Sequence, residues 1–174
     1  MAIDARDCAR AAEREILVMD EAKRLAILAM FLRVYGASTL IIFGSLMIGF
    51  AVETPLLADD PKGALNWAIW NGVHCGNQPC HVPPMLFVIY LVWAVFFFLA
   101  ARKPLAYASF LSFTMWANFF HGLLMAGQAL MHMDHYWSKW FTDIPFIWML
   151  ALGIYVWGPT ASRATAALKE REAS

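Results

Sequence analysis

Charge is what this sequence has least of. Asp, Glu, Lys and Arg make up 15% of its 174 residues, against about a quarter in soluble domains. The few charges sit almost wholly outside four apolar runs, which excludes an ordinary water-soluble domain. Net charge is zero, so nothing supports a nucleic-acid partner. Cysteine is scarce, with three in the chain, and no Cys-x-x-Cys pair is among them, which counts against a thiol-redox enzyme. The chain has no phosphate-cradling loop, no nucleophile–base set and no paired carboxylates inside an apolar run. It also lacks internal repeats and broken helices, which makes a transporter a weak reading. The N-terminus opens on mixed charges rather than a basic tip and an apolar core, so it does not read as a signal peptide.

What is present is apolar. Hydrophobic residues form 61% of the chain, and mean hydropathy is +0.55. The expected fold is all-α: a four-helix transmembrane bundle in one membrane domain spanning 1–174. An N-terminal amphipathic, cytosolic or interfacial arm covers 1–26. Approximate spans follow at 34–52, 85–101, 105–131 and 144–157. Gly36, Ser38, Gly44, Ser45 and Gly49 suggest close helix contacts for the first span, with Ser45 and Gly49 at small-xxx-small spacing. Arg102, Lys103 and Pro104 make so short a turn that the second and third spans must be antiparallel neighbours. Asp143 reads as the N-cap of the last span. Trp93, Trp116, Trp140, Trp148 and Trp157 suit interface belts and helix packing.

Lys and Arg cluster in the arm, the turn at 102–103 and the tail. Lys62 and Lys139 stand alone in the other two connections. The positive-inside rule then places both termini in the cytoplasm, with the protein multi-pass in the inner membrane. The first long loop, capping the outer end, holds ALNWAIWNGV, read as an interfacial or re-entrant helix anchored by Trp67 and Trp70. HCGNQPCH follows it. In an oxidising compartment Cys75 and Cys80 read as a disulfide, with free thiols or metal ligands as the alternatives.

The third run ends in NFFHGLLMAGQALMHMDH. At about 100° per residue, Asn118, His121, Met125, Gln128, His132 and His135 form one polar-and-sulfur stripe. In a membrane such a stripe faces protein, a cavity or water. His121, Met125 and Gln128 are therefore the candidate cofactor contacts, for a quinone or haem. His121 is expected to have no acidic residue at its depth. It and Gln128 are expected to face the bundle interior and hydrogen-bond to another span. His132 and His135, three apart, can chelate one metal ion from a helix face, with His74 and His81 as further ligands. Against both stand bland readings: interfacial histidines beside Tyr136 and Trp137, and a buried histidine bonded across helices.

From Tyr90 onward the segments LAARKPLAYASFLSFTMWANFFHGLLMAGQAL and TDIPF resemble a family of small four-span bacterial membrane proteins with no assigned activity. Lys103, Pro104, Leu105, His121, Gly122, Gln128, Asp143 and Pro145 carry the likeness; the arm and HCGNQPCH depart from it. A weaker, fold-level likeness is to DoxX-like membrane proteins, some tied to quinone-linked redox. The resemblance implies a fold and no activity. Besides the lipid bilayer, the expected partners are other membrane subunits. The leading functional expectation is an accessory or structural subunit of a larger membrane complex rather than an enzyme, because a catalytic set is missing. The rival is a metal- or quinone-binding redox-associated protein using the third-span stripe.

Overall fold

The computed structural model describes residues 5–52 and 82–159. Four long helices dominate: α1 (Ala5–Ala51), α2 (Val82–Arg102), α3 (Ala108–Met131) and α5 (Asp143–Trp157). A short helix, α4 (Met133–Tyr136), and a 3-10 turn at Trp137–Trp140 lead into α5. The described residues contain no strand, and the all-α bundle expected from the sequence is what they form.

α1 joins arm and first span in one helix of 47 residues, about 70 Å at 1.5 Å per residue. No Gly or Pro interrupts it before Gly36, and Ala, Glu, Arg and Leu dominate its first half. Only its later part is apolar enough to cross a bilayer. Among the described residues three helical stretches meet that standard of length and apolarity: Glu21–Ala51, Met85–Arg102 and Trp137–Trp157. α3 is 24 residues long, yet is not among them, because Asn118, His121 and Gln128 dilute its apolar character.

Pro104–Tyr107 form a turn, so α3 starts at Ala108, three residues later than expected. Asp143 is not a cap either. Thr142 holds the N-cap position and Asp143 the first helical one. A carboxylate there still complements the helix dipole.

The tightest pairs are α1 with α2 and α3 with α5. Lipid tails are as apolar as Leu, so close packing rather than escape from water holds such helices together. The first pair closes at Gly36, where an added Cβ would stand 3.3 Å from the Ala94 carbonyl oxygen and from the Phe97 Cβ. Further along α1 no such approach is seen among the described residues: Ser45 is exposed, and nothing lies within 4 Å of a Cβ built on Gly44. The second pair closes on Gly122, Ala126 and Ala129, all buried. Trp148 lies over Gly122, and Ile144 packs among the alanines.

At the end carrying the 102–107 turn, one core joins all four helices. Leu28, Leu32 and Tyr35 of α1 meet Phe97, Ala100 and Ala101 of α2, Leu111 of α3, and Leu150 and Ile154 of α5. Arg24 ties α1 to the end of α5 by donating from Nη2 to the Gly158 carbonyl at 3.4 Å. Toward the opposite end the core divides. Leu46 and Phe87 pack between α1 and α2, while Ala126, Ala129 and Ile144 pack between α3 and α5. Space opens between the two pairs.

One prediction tests this asymmetry. Gly36→Leu should lower the midpoint of thermal unfolding in detergent, by an overpacking cost of about 1–3 kcal/mol. Gly44→Leu should leave it within about 0.5 kcal/mol. Equal effects would show that the close approach at Gly36 has no energetic weight.

Candidate functional site in the bundle interior

The space between the helix pairs is a cavity of about 190 Å³ lined from all four long helices. Its walls are mostly aromatic and aliphatic. Phe43 and Tyr90 stack at 4.3 Å between ring centroids, Tyr35 and Phe146 at 4.5 Å. Polar groups are few: Tyr35, Thr39, Tyr90, Asn118, His121 and Asp143, with the Trp93 indole.

Several of these already have partners. The Tyr35 hydroxyl donates to the Phe146 carbonyl at 3.1 Å, tying α1 to α5. Thr39 donates to the Tyr35 carbonyl at 2.8 Å, and the Asn118 amide donates to the Thr114 carbonyl at 2.8 Å. The Trp93 N–H donates to the Thr114 hydroxyl at 3.0 Å, joining α2 to α3. Asp143 accepts from Lys139 at 3.1 Å, one turn earlier. Two groups differ. Among the described residues, the Tyr90 hydroxyl and the His121 imidazole make no hydrogen bond. They come from different helices and line the same cavity.

The stripe on α3 therefore divides. Asn118, His121 and Met125 line the cavity, whereas Gln128 and His132 are exposed. Gln128 was expected to face inward and bond another span. It makes no such bond among the described residues, because α5 packs on the neighbouring Gly122–Ala126–Ala129 face instead. His121 was expected to lack an acidic neighbour. Asp143, from α5, lines the same cavity. The α4 and 3-10 segment folds the chain back compactly enough to start α5 beside that stretch of α3.

The continuous helix expected to carry both His132 and His135 is interrupted between them. α3 ends at Met131, and His132 is its C-cap at φ −135°, ψ 54°. The backbone turns there, so His132 and His135 do not follow one continuous helix. The His132 ring lies edge-on to Tyr136 at 6.2 Å. Among the described residues no group of three or more His, Cys, Asp or Glu could hold a metal ion. His74, His81, Cys75 and Cys80 lie outside the described residues, as do Trp67 and Trp70.

Sequence reasoning missed three members of the site region. Tyr90 stands in a run of aliphatic and aromatic residues with nothing to mark it. Trp93 was assigned to belts and packing, yet it lines the cavity and bonds α3. The Gly122–Ala126–Ala129 face had a usable signal, small residues four and three apart, but the polar stripe beside it drew the reading. Comparison with protein-family models, curated proteins and solved structures finds no match to the chain.

Proposed function

We propose that this integral membrane protein is redox-associated and holds the ring of a quinone in its intrabundle cavity. One observation carries the reading. A ring-sized space at membrane depth, walled by stacked aromatics, is lined by two hydrogen-bonding groups on different helices that lack partners among the described residues. A cavity near 150 Å³ accommodates benzene, whereas drug-sized ligands need about 300 Å³ or more. At about 190 Å³ the space fits a single substituted six-membered ring. The quinone carbonyl oxygens accept from the Tyr90 hydroxyl and from a His121 N–H. Asp143, tied to Lys139, sits at the same cavity as a group able to take up a proton.

The test is a titration of purified protein with a short-tailed benzoquinone, read by quenching of tryptophan emission. Tyr90→Phe and His121→Leu should each weaken binding about tenfold, the scale of one hydrogen bond to a neutral acceptor, with helix content unchanged. Unaltered affinity in both variants would remove the quinone from this cavity.

A second reading, an accessory subunit of a larger complex, draws on the exposed amide of Gln128 on a membrane helix. A polar side chain there favours a covering protein chain over lipid. Purification in mild detergent from native membranes should then bring down a stoichiometric partner. For sidedness, the Lys and Arg distribution supports an inner-membrane protein with both termini cytoplasmic. Reporter fusions at Ser174 and within the first loop should give opposite sidedness, and equal sidedness would exclude that topology.

A further inference from the structure

The cavity's mouth has a definite position. Of the residues lining it, only Leu86 and His121 are exposed, one on α2 and one on α3; the others are buried or half-buried. His121 stands ten residues before the end of α3, about 15 Å along the helix. An opening at the bundle's end alone would not expose a side chain so deep within a layer of about 30 Å.

The contacts between α2 and α3 agree. Among the described residues they run from Phe96 with Tyr107 and Phe110 to Trp93 with Phe113 and Thr114. Ile89 is two turns from Phe96 on the same face of α2 and is 56% exposed. Leu124, eleven residues past Phe113 on a matching face of α3, is 63% exposed. Beyond Trp93 no ring contact or hydrogen bond joins α2 to α3 among the described residues, α2 and α3 are not among the closely packed helix pairs, and the side chains on that side, Ile89 and Leu124, are apolar and exposed.

We propose that the cavity is entered sideways from the bilayer, through a gap between α2 and α3, by a lipid-tailed benzoquinone whose ring passes inside while its tail remains in the gap. The inference rests on the quinone reading above. The volume supports the division of the ligand, since a space that fits one ring has no room for a tail of several carbons. The apolar edges match such a tail, and an aqueous solute would find no polar path between them.

The experiment uses the full chain in phosphatidylcholine vesicles and two probes, an isoprenoid-tailed benzoquinone in the bilayer and a tailless benzoquinone with the same ring substituents. Stopped-flow quenching of tryptophan emission reads entry, and the Trp93→Phe protein identifies the part of the signal from the cavity wall. Ile89→Trp and Leu124→Trp each place bulk in the gap without replacing a cavity-lining residue. Either should slow entry of the tailed quinone about tenfold, as expected when binding comes to need a conformational opening. Ile89→Ala and Leu124→Ala, which widen the gap, should leave entry as fast as in the parent or faster. Unchanged entry rates in both tryptophan variants, with both quinones still bound, would overturn the side entrance and leave the quinone site standing. Binding of the tailless quinone alone would also overturn it. Absence of binding by either probe in the parent protein would overturn the quinone reading itself. Should a tryptophan variant fail to fold, the other variant, together with the alanine pair, decides the question.

Discussion

Gly122→Val should be among the most damaging single changes in the bundle, with a loss of about 2–3 kcal/mol on the scale of overpacked cores. A Cβ at Gly122 would fall on the Trp148 indole, at Nε1 and Cδ1. The same indole N–H donates to the Phe119 carbonyl at 3.4 Å. An added side chain therefore drives Trp148 off α3 and breaks that contact as well. α3 and α5 are one of the two tightest helix pairs, and in lipid no transfer of apolar surface from water offsets lost packing. Gly127→Val provides the comparison on the same helix, because nothing lies within 4 Å of a Cβ built there. Its effect should stay within about 0.5 kcal/mol. Thermal unfolding in detergent checks both. Adding Trp148→Ala to Gly122→Val should recover part of the loss, since the double variant removes the obstacle. A double variant less stable than either single one would mean that the indole was not the obstacle.

The fold was legible because the sequence carries it redundantly. Apolar runs of helical length, a proline-containing turn after Arg102 and few interior charges all point to one bundle. Contacts were less legible. Gly36 and Gly44 belong to the same small-residue series on α1, yet of the two only Gly36 meets α2 at close range. Which member of a series faces a neighbour depends on the neighbour's side chains, here Ala94 and Phe97, and one helix alone does not contain that information. Asp143 shows the same limit at a helix end. Thr142 and Asp143 are both acceptable caps, and the salt bridge to Lys139 goes with the arrangement that makes Thr142 the cap.

The candidate site was half legible. Asn118, His121 and Met125 of the stripe on α3 line the cavity, since polar and sulfur groups at helical spacing share a face whatever surrounds them. It overreached at Gln128 and His132. The stripe drifts around the helix, and the cavity occupies only the stretch where the core divides. Tyr90 and Asp143 came from other helices, and their approach to His121 depends on how the pairs α1–α2 and α3–α5 come together. No periodicity within α3 encodes that.

The last prediction concerns the ion pair beside the cavity. Lys139 and Asp143 meet at 3.1 Å, with their side chains only 15% and 24% exposed. Removing one partner of a largely buried pair costs more than the pair contributes, because the other charge is stranded. The two removals are not equivalent here. Without Lys139, the carboxylate is left against a cavity walled by Tyr35, Phe43 and Phe146. Without Asp143, the ammonium still has the Tyr136 ring, 5.7 Å away, and its long stem can carry it toward water. Lys139→Met should therefore destabilise by about 2–3 kcal/mol after allowance for the remaining exposure, and Asp143→Asn by about 1 kcal/mol. Lys139→Met combined with Asp143→Asn should be more stable than Lys139→Met alone, since the second change removes the stranded charge. Thermal unfolding of the three variants at neutral pH measures this. A double variant whose loss equals the sum of the two single losses would mean that the carboxylate of Asp143 is already well solvated, and the electrostatic link between Lys139 and the cavity would fall with it.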